Sequence, residues 1–112
     1  MSKFDEKITL YQSEMKKLGL KFDADLLTNV TKGLGPSIYK PDAETISGSD
    51  IKELETVKKN FLMKKLGLPD GPKLDHALEA VVEKVGKSNR NKYRAIVYYL
   101  LVKELGQEGK YH

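Results

Sequence analysis

Apolar residues recur along this chain at steps of three and four, the spacing of one helix face. Phe4, Ile8, Tyr11, Met15 and Leu18 form the first such stripe and predict a helix from about Lys3 to Leu18. Gly19 follows it, where a left-handed cap is easiest. Leu27, Val30 and Leu34 predict a second helix over about Asp25 to Lys32, stopped by Gly33, Gly35 and Pro36. The third starts at Ser49 or Asp50, and Asp50 with Glu53 has the spacing of a capping box. Its face is Ile51, Leu54, Val57, Phe61, Leu62 and Leu66, and Gly67 closes it. The turn residues GLPDGP, 67–72, lead into a fourth helix with Pro72 in its first turn. Leu74, Leu78, Val81, Val82 and Val85 face inward there, and Gly86 ends it. A fifth helix is predicted behind Ser88, running to Leu105 with Gly106 as its cap. No stretch alternates at period two, so no sheet is expected. The expected fold class is all-α, a compact bundle of about five helices. One domain spans 1–106, followed by a loosely ordered tail at 107–112.

Two segments depart from this simple pattern. Residues 95–102, Ala-Ile-Val-Tyr-Tyr-Leu-Leu-Val, are apolar or aromatic on every side of the fifth helix. A helix of that kind is central or lies at an interface, so it is covered by the other helices or by a second copy of the chain. The connection GPSIYKPDAETISGSD, 35–50, has no periodicity of its own. Loops longer than about 12–15 residues are uncommon in compact domains. We read it as an ordered strap between the second and third helices, anchored by Ile38 and Tyr39.

The helices also echo one another. MKKLGL occurs at 15–20 and at 63–68, with VKELGQ at 102–107 as a weaker third copy. A helix-pair duplication and the shared grammar of capped amphipathic helices both account for this. The segments GPSIY, SGSD, NFLMKKLGL and SNRNKYRAIVYYLL resemble a family of small bacterial proteins catalogued only as a domain of unknown function. The resemblance covers roughly Asp5 to Leu105. It implies a small helical protein from a bacterium and transfers no catalytic residue.

Composition narrows the function. The 112 residues hold no cysteine, which excludes disulfides, thiolate metal sites and a cysteine nucleophile. The longest apolar run, Ala95 to Val102, is far short of the roughly 20 residues that span a bilayer. MSKFDEK lacks the apolar core of a secretory signal, so a cytoplasmic protein without membrane partners is expected. No phosphate loop of the GxxxxGK[ST] type is present. Asp75, His76, Glu79 and Glu83 share part of one helix face at spacings a weak metal site could use, but a solvated polar face is the favoured reading. Asp23 and Asp25 read as helix-start residues. The expectation is therefore no enzyme, no metal and no cofactor.

Charge adds one candidate site. The net charge is +4, and it is uneven: residues 51–112 carry thirteen Lys and Arg against eight Asp and Glu. Lys84, Lys87, Arg90, Lys92 and Arg94 follow one another with no carboxylate between them. A helix N-terminus carries about half a positive charge, so cations there are out of place. Two explanations stand. Acids elsewhere in the fold, with Asp42, Glu44, Asp70 and Asp75 as candidates, pair with these cations. Alternatively Lys87, Ser88, Arg90, Lys92 and Arg94 form an anion site for phosphate or nucleic acid, the fourth and fifth helices then acting as a helix-turn-helix. The function expected first is non-catalytic binding to a protein partner or to a second copy as a homodimer. Nucleic-acid binding comes second.

Overall fold

The computed structural model describes residues 2–46, 51–86, 89 and 92–111. It is all-helical, with five principal helices and one short one. Helix α1 spans Lys3–Lys17 and α2 spans Ala24–Leu34. A 3-10 turn at Gly35–Tyr39 leads into the short α3, Pro41–Glu44. Helix α4, Ile51–Val57, continues without a break as a π-helix over Lys58–Lys65. Helices α5, Pro72–Val85, and α6, Arg94–Glu104, follow, and a 3-10 turn at Glu108–Tyr111 comes last.

The starts of α1 and α2 rest on small polar residues. The Ser2 hydroxyl accepts from the Asp5 amide at 3.1 Å. The Asp23 carboxylate accepts from the amides of Asp25 and Leu26 at 3.0 and 3.2 Å, satisfying donors that no helical carbonyl reaches. At the other end of α2 the stop is Gly35, whose φ of 64° suits only glycine well. Gly33, expected to help end this helix, lies inside it.

Helix α6 runs through the centre. It touches α1, α2, α3 and α5, and Tyr98 stacks on Phe61 of the π-helix with ring centroids 3.9 Å apart. All eight residues from Ala95 to Val102 are buried within this single chain. The apolar girdle is therefore an intrachain core, and it leaves no bare face that calls for a second copy. Tyr11, Met15, Leu27, Val30, Leu62 and Val81 pack round it.

The strap is ordered over its described part and closes on α6. The Ile46 amide donates to the Lys92 carbonyl at 2.8 Å, and Thr45 and Tyr93 form an isolated antiparallel bridge. Ile38 is the buried anchor. Tyr39 is 43% exposed, against expectation. It sits in a 3-10 turn with three residues per revolution, which sets its side chain a third of a turn away from that of buried Ile38. The proposed capping residues Ser49 and Asp50 lie outside the described residues.

The fifth helix also starts later than the sequence pattern predicts. It begins at Arg94 instead of just behind Ser88, with Tyr93 as N-cap in extended conformation. Lys92 and Tyr93 are taken up by the pairing with the strap, which demands an extended backbone. The link from α5 is therefore eight residues, 86–93, and not the short turn of a helix-turn-helix.

Candidate functional site

The five residues of the expected anion site are split by this geometry. Lys87, Ser88 and Arg90 lie outside the described residues. Lys92 precedes the helix and is turned into the protein, 4% exposed, with its ammonium donating to the Asn89 carbonyl. Burial holds its pKa below the ordinary lysine value. Asn89 in turn donates its side-chain amide to the Val85 carbonyl at 3.0 Å, fastening the end of α5.

Arg94 alone of the described cations stands in the first turn of α6, and the fold surrounds it. Its Nε donates to the Ala43 carbonyl at 2.6 Å, its Nη1 to the Tyr98 hydroxyl at 2.9 Å, and its Nη2 lies 3.5 Å from Glu53. The acid that meets it is Glu53. Of the acids suggested beforehand, Glu44 binds Lys7 at 2.7 Å and accepts from the Tyr11 hydroxyl at 2.8 Å. Asp70 and Asp75 both hold Lys58, at 2.8 and 3.0 Å. Lys58 holds the Asp70 carboxyl below its usual range. Lys84 pairs with Glu104 across α5 and α6 at 3.2 Å.

Arg94 also opens onto a cleft of about 290 Å³ between the end of α2, the π-helix and the start of α6. Its lining includes Gly33, Phe61, Lys65, Arg94, Tyr98 and Tyr111, and among the described residues no carboxylate. Four separate stretches of chain deliver these residues. The π-helix, whose ladder steps by five residues as in Leu66 N–H to Phe61 carbonyl at 2.9 Å, brings Phe61 and Lys65, four residues apart, to one wall. The last 3-10 turn brings Tyr111, whose carbonyl accepts from the Asn29 amide at 2.7 Å. Burial raises the pKa of the Tyr111 hydroxyl, which stays protonated and able to donate.

The electrostatics of this cleft are one-sided. Lys65 has an ammonium with three donors, and one of them reaches the Gly33 carbonyl at a long 3.4 Å. Arg94 carries five N–H groups and meets three partners. The Tyr98 hydroxyl accepts from Arg94, so its own proton is available to an acceptor. Cations and hydroxyl donors thus sit against aromatic and aliphatic walls. The sequence reading found Arg94 and missed the rest. Its one legible signal was Gly33, a second glycine where Gly35 already suffices to end the helix.

Other surfaces offer less. Asp75, His76, Glu79 and Glu83 are exposed along α5, and no group of three or more His, Cys, Asp or Glu is gathered for a metal among the described residues. Nor is any described helix long and apolar enough to cross a membrane.

Residues 10–109 match the family described as "Protein of unknown function (DUF2853)", and the chain belongs to that family. No curated protein matches the chain. The resemblance seen in the sequence therefore holds at the level of a family without an assigned activity.

Proposed function

We propose that this family member is a non-catalytic binding protein whose cleft between α2, the π-helix and α6 holds a small organic anion. The observation that carries this reading is the pairing of Lys65 and Arg94 in one cleft with no carboxylate among the described residues of its lining. Small-molecule sites are concave, largely apolar, and carry a few convergent polar groups, which describes this one. A π-helix in the wall adds weight, since such segments are frequent at functional sites.

Binding to a protein or to a second copy draws less support. The apolar girdle is covered from within, and Leu10 and Tyr39 are the large hydrophobics exposed among the described residues. Duplex binding through the basic stretch has lost Lys92 to the interior and shares Arg94 among three partners. It serves as the competing outcome.

Amide and side-chain NMR signals are to be followed while organic acids, sugar phosphates and a short duplex are added separately, each at two salt concentrations. Shifts centred on Gly33, Asn60, Lys65 and Tyr111 with a small anion are expected. Shifts that appear only with the duplex, and that fade steeply with salt, would replace this reading with phosphate-backbone binding.

A further inference from the structure

Resting on that reading, we infer that the occupant is a monocarboxylate with a flat or compact apolar body, and that Gly33 and Lys65 are the residues that select it. Charge sets the first half. Among the described residues the cleft presents two cations, and Glu53 stands 3.5 Å from one of them, so close to one positive charge is left for a ligand. That balances one carboxylate and leaves a phosphate dianion half unpaired, at a cost in desolvation. The walls set the second half. Val30, Leu34, Phe61 and Tyr111 line the same cleft and offer surface to a hydrocarbon body. A volume of about 290 Å³ suits a ligand of one ring or a short chain.

Gly33 makes this room. It lies within α2 and not at its cap, and its φ is not in the left-handed region, so the backbone there accepts any residue. A glycine inside a helix lowers its stability against alanine. What its missing side chain provides is space. A Cβ at this position would lie 3.4 Å from Lys65 Nζ and 3.6 Å from the Tyr111 ring. The Lys65 ammonium lies over the end of α2, where one of its three donors reaches the Gly33 carbonyl. These are ordinary contact distances, so a methyl group there would fit but would fill the space between the ammonium and the ring that is otherwise open to a ligand. Gly33 thus gives up some helix propensity at a position directly beside the charge.

The test compares phenylacetate, its neutral isostere phenylacetamide, and phenyl phosphate by calorimetry and NMR on the full chain, Lys65→Met and Gly33→Ala. Phenylacetate is expected to bind one-to-one and at least about tenfold more tightly than phenylacetamide, the worth of one hydrogen bond to a charged group. Lys65→Met is expected to lose about the same factor. Gly33→Ala is expected to weaken phenylacetate while its thermal midpoint stays the same or rises, which separates a blocked cleft from a damaged fold. Equal binding of acid and amide overturns the inference. So does unimpaired binding by Gly33→Ala. Tighter binding of phenyl phosphate overturns the carboxylate and leaves the anion cleft standing. No binding of any of the three to the parent protein removes both.

Discussion

Leu101 is fully buried on the central helix, and it tests the core one side chain at a time. Leu101→Ala is expected to cost about 2–5 kcal/mol, the transfer term plus the cavity left behind. Urea denaturation measures it, and a loss below about 1 kcal/mol would mean that α6 is not central. Tyr11 tests a polar contact. It is buried and donates to Glu44, which also holds Lys7, so one carboxylate ties α1 to the strap. Burial first, then the hydrogen bond to Glu44 and that group's charge, push the Tyr11 pKa far above its ordinary 10.0. The folded protein keeps this proton where the unfolded chain loses it. Above about pH 10 the unfolded state binds fewer protons, so stability falls as pH rises, by up to about 1.4 kcal/mol per pH unit for this group. Tyr11→Phe is therefore expected to lose less stability than the parent between about pH 9 and about pH 11. Equal losses in urea titrations would show that Tyr11 contributes nothing to the alkaline slope. The burial of both residues was legible in the sequence, Leu101 from the girdle and Tyr11 from the stripe. Glu44 was not legible as the partner of Tyr11, because 33 residues separate them and no local pattern pairs them.

Among the elements, the hexapeptide MKKLGL shows how one sequence takes two forms. At 15–20 it closes α1 with a Schellman arrangement: Leu20 N–H meets the Met15 carbonyl at 2.9 Å and Gly19 N–H meets that of Lys16 at 3.0 Å. At 63–68 the Leu68 amide reaches back six residues to Leu62 at 3.0 Å, one residue further than its counterpart. The wider ring puts Phe61, Leu62 and Leu66 all into the core, which a step of 3.6 residues serves less well. Tertiary packing chose the ring, so sequence periodicity alone could not. The start of α6 was misplaced for a related reason. SNRNK holds no apolar residue to fix a phase, and the strap claims Lys92 and Tyr93 as extended chain. Arg94 fastens that junction through the Ala43 carbonyl. Arg94→Met is expected to destabilise by about 1–3 kcal/mol, leaving the carbonyl and Glu53 short of a donor. Hydrogen exchange at the Ile46 amide, which bonds to Lys92, should quicken more than exchange in α5. Uniform quickening across the chain would mean that Arg94 supports the whole fold and not the strap junction.

At the scale of the whole molecule, the class of fold was legible because four amphipathic stripes and one all-apolar helix need one another and no sheet pattern competes with them. The cleft was not. Gly33, Phe61, Lys65, Arg94, Tyr98 and Tyr111 come from four stretches of chain, and only closure of the bundle brings them together. Closure also bears on association. The radius of gyration is 13.0 Å, against about 13 Å expected for a compact chain of this length. A lasting protein interface buries about 1,200–2,000 Å² and centres on aromatic and aliphatic side chains. Among the described residues, Leu10 on α1 and Tyr39 on the strap are the large hydrophobics left outside, while the eight residues that suggested a dimer are already covered. Like charges on the surface, from a net charge of +4, oppose contact between copies further. The chain is therefore expected to sediment as a monomer of 12.6 kDa up to high micromolar concentration, at low and moderate salt alike. A concentration-dependent rise toward twice that mass would overturn this. Its source would then be sought at the exposed Leu10 and Tyr39, and Leu10→Lys would be expected to reduce the rise without lowering the thermal midpoint.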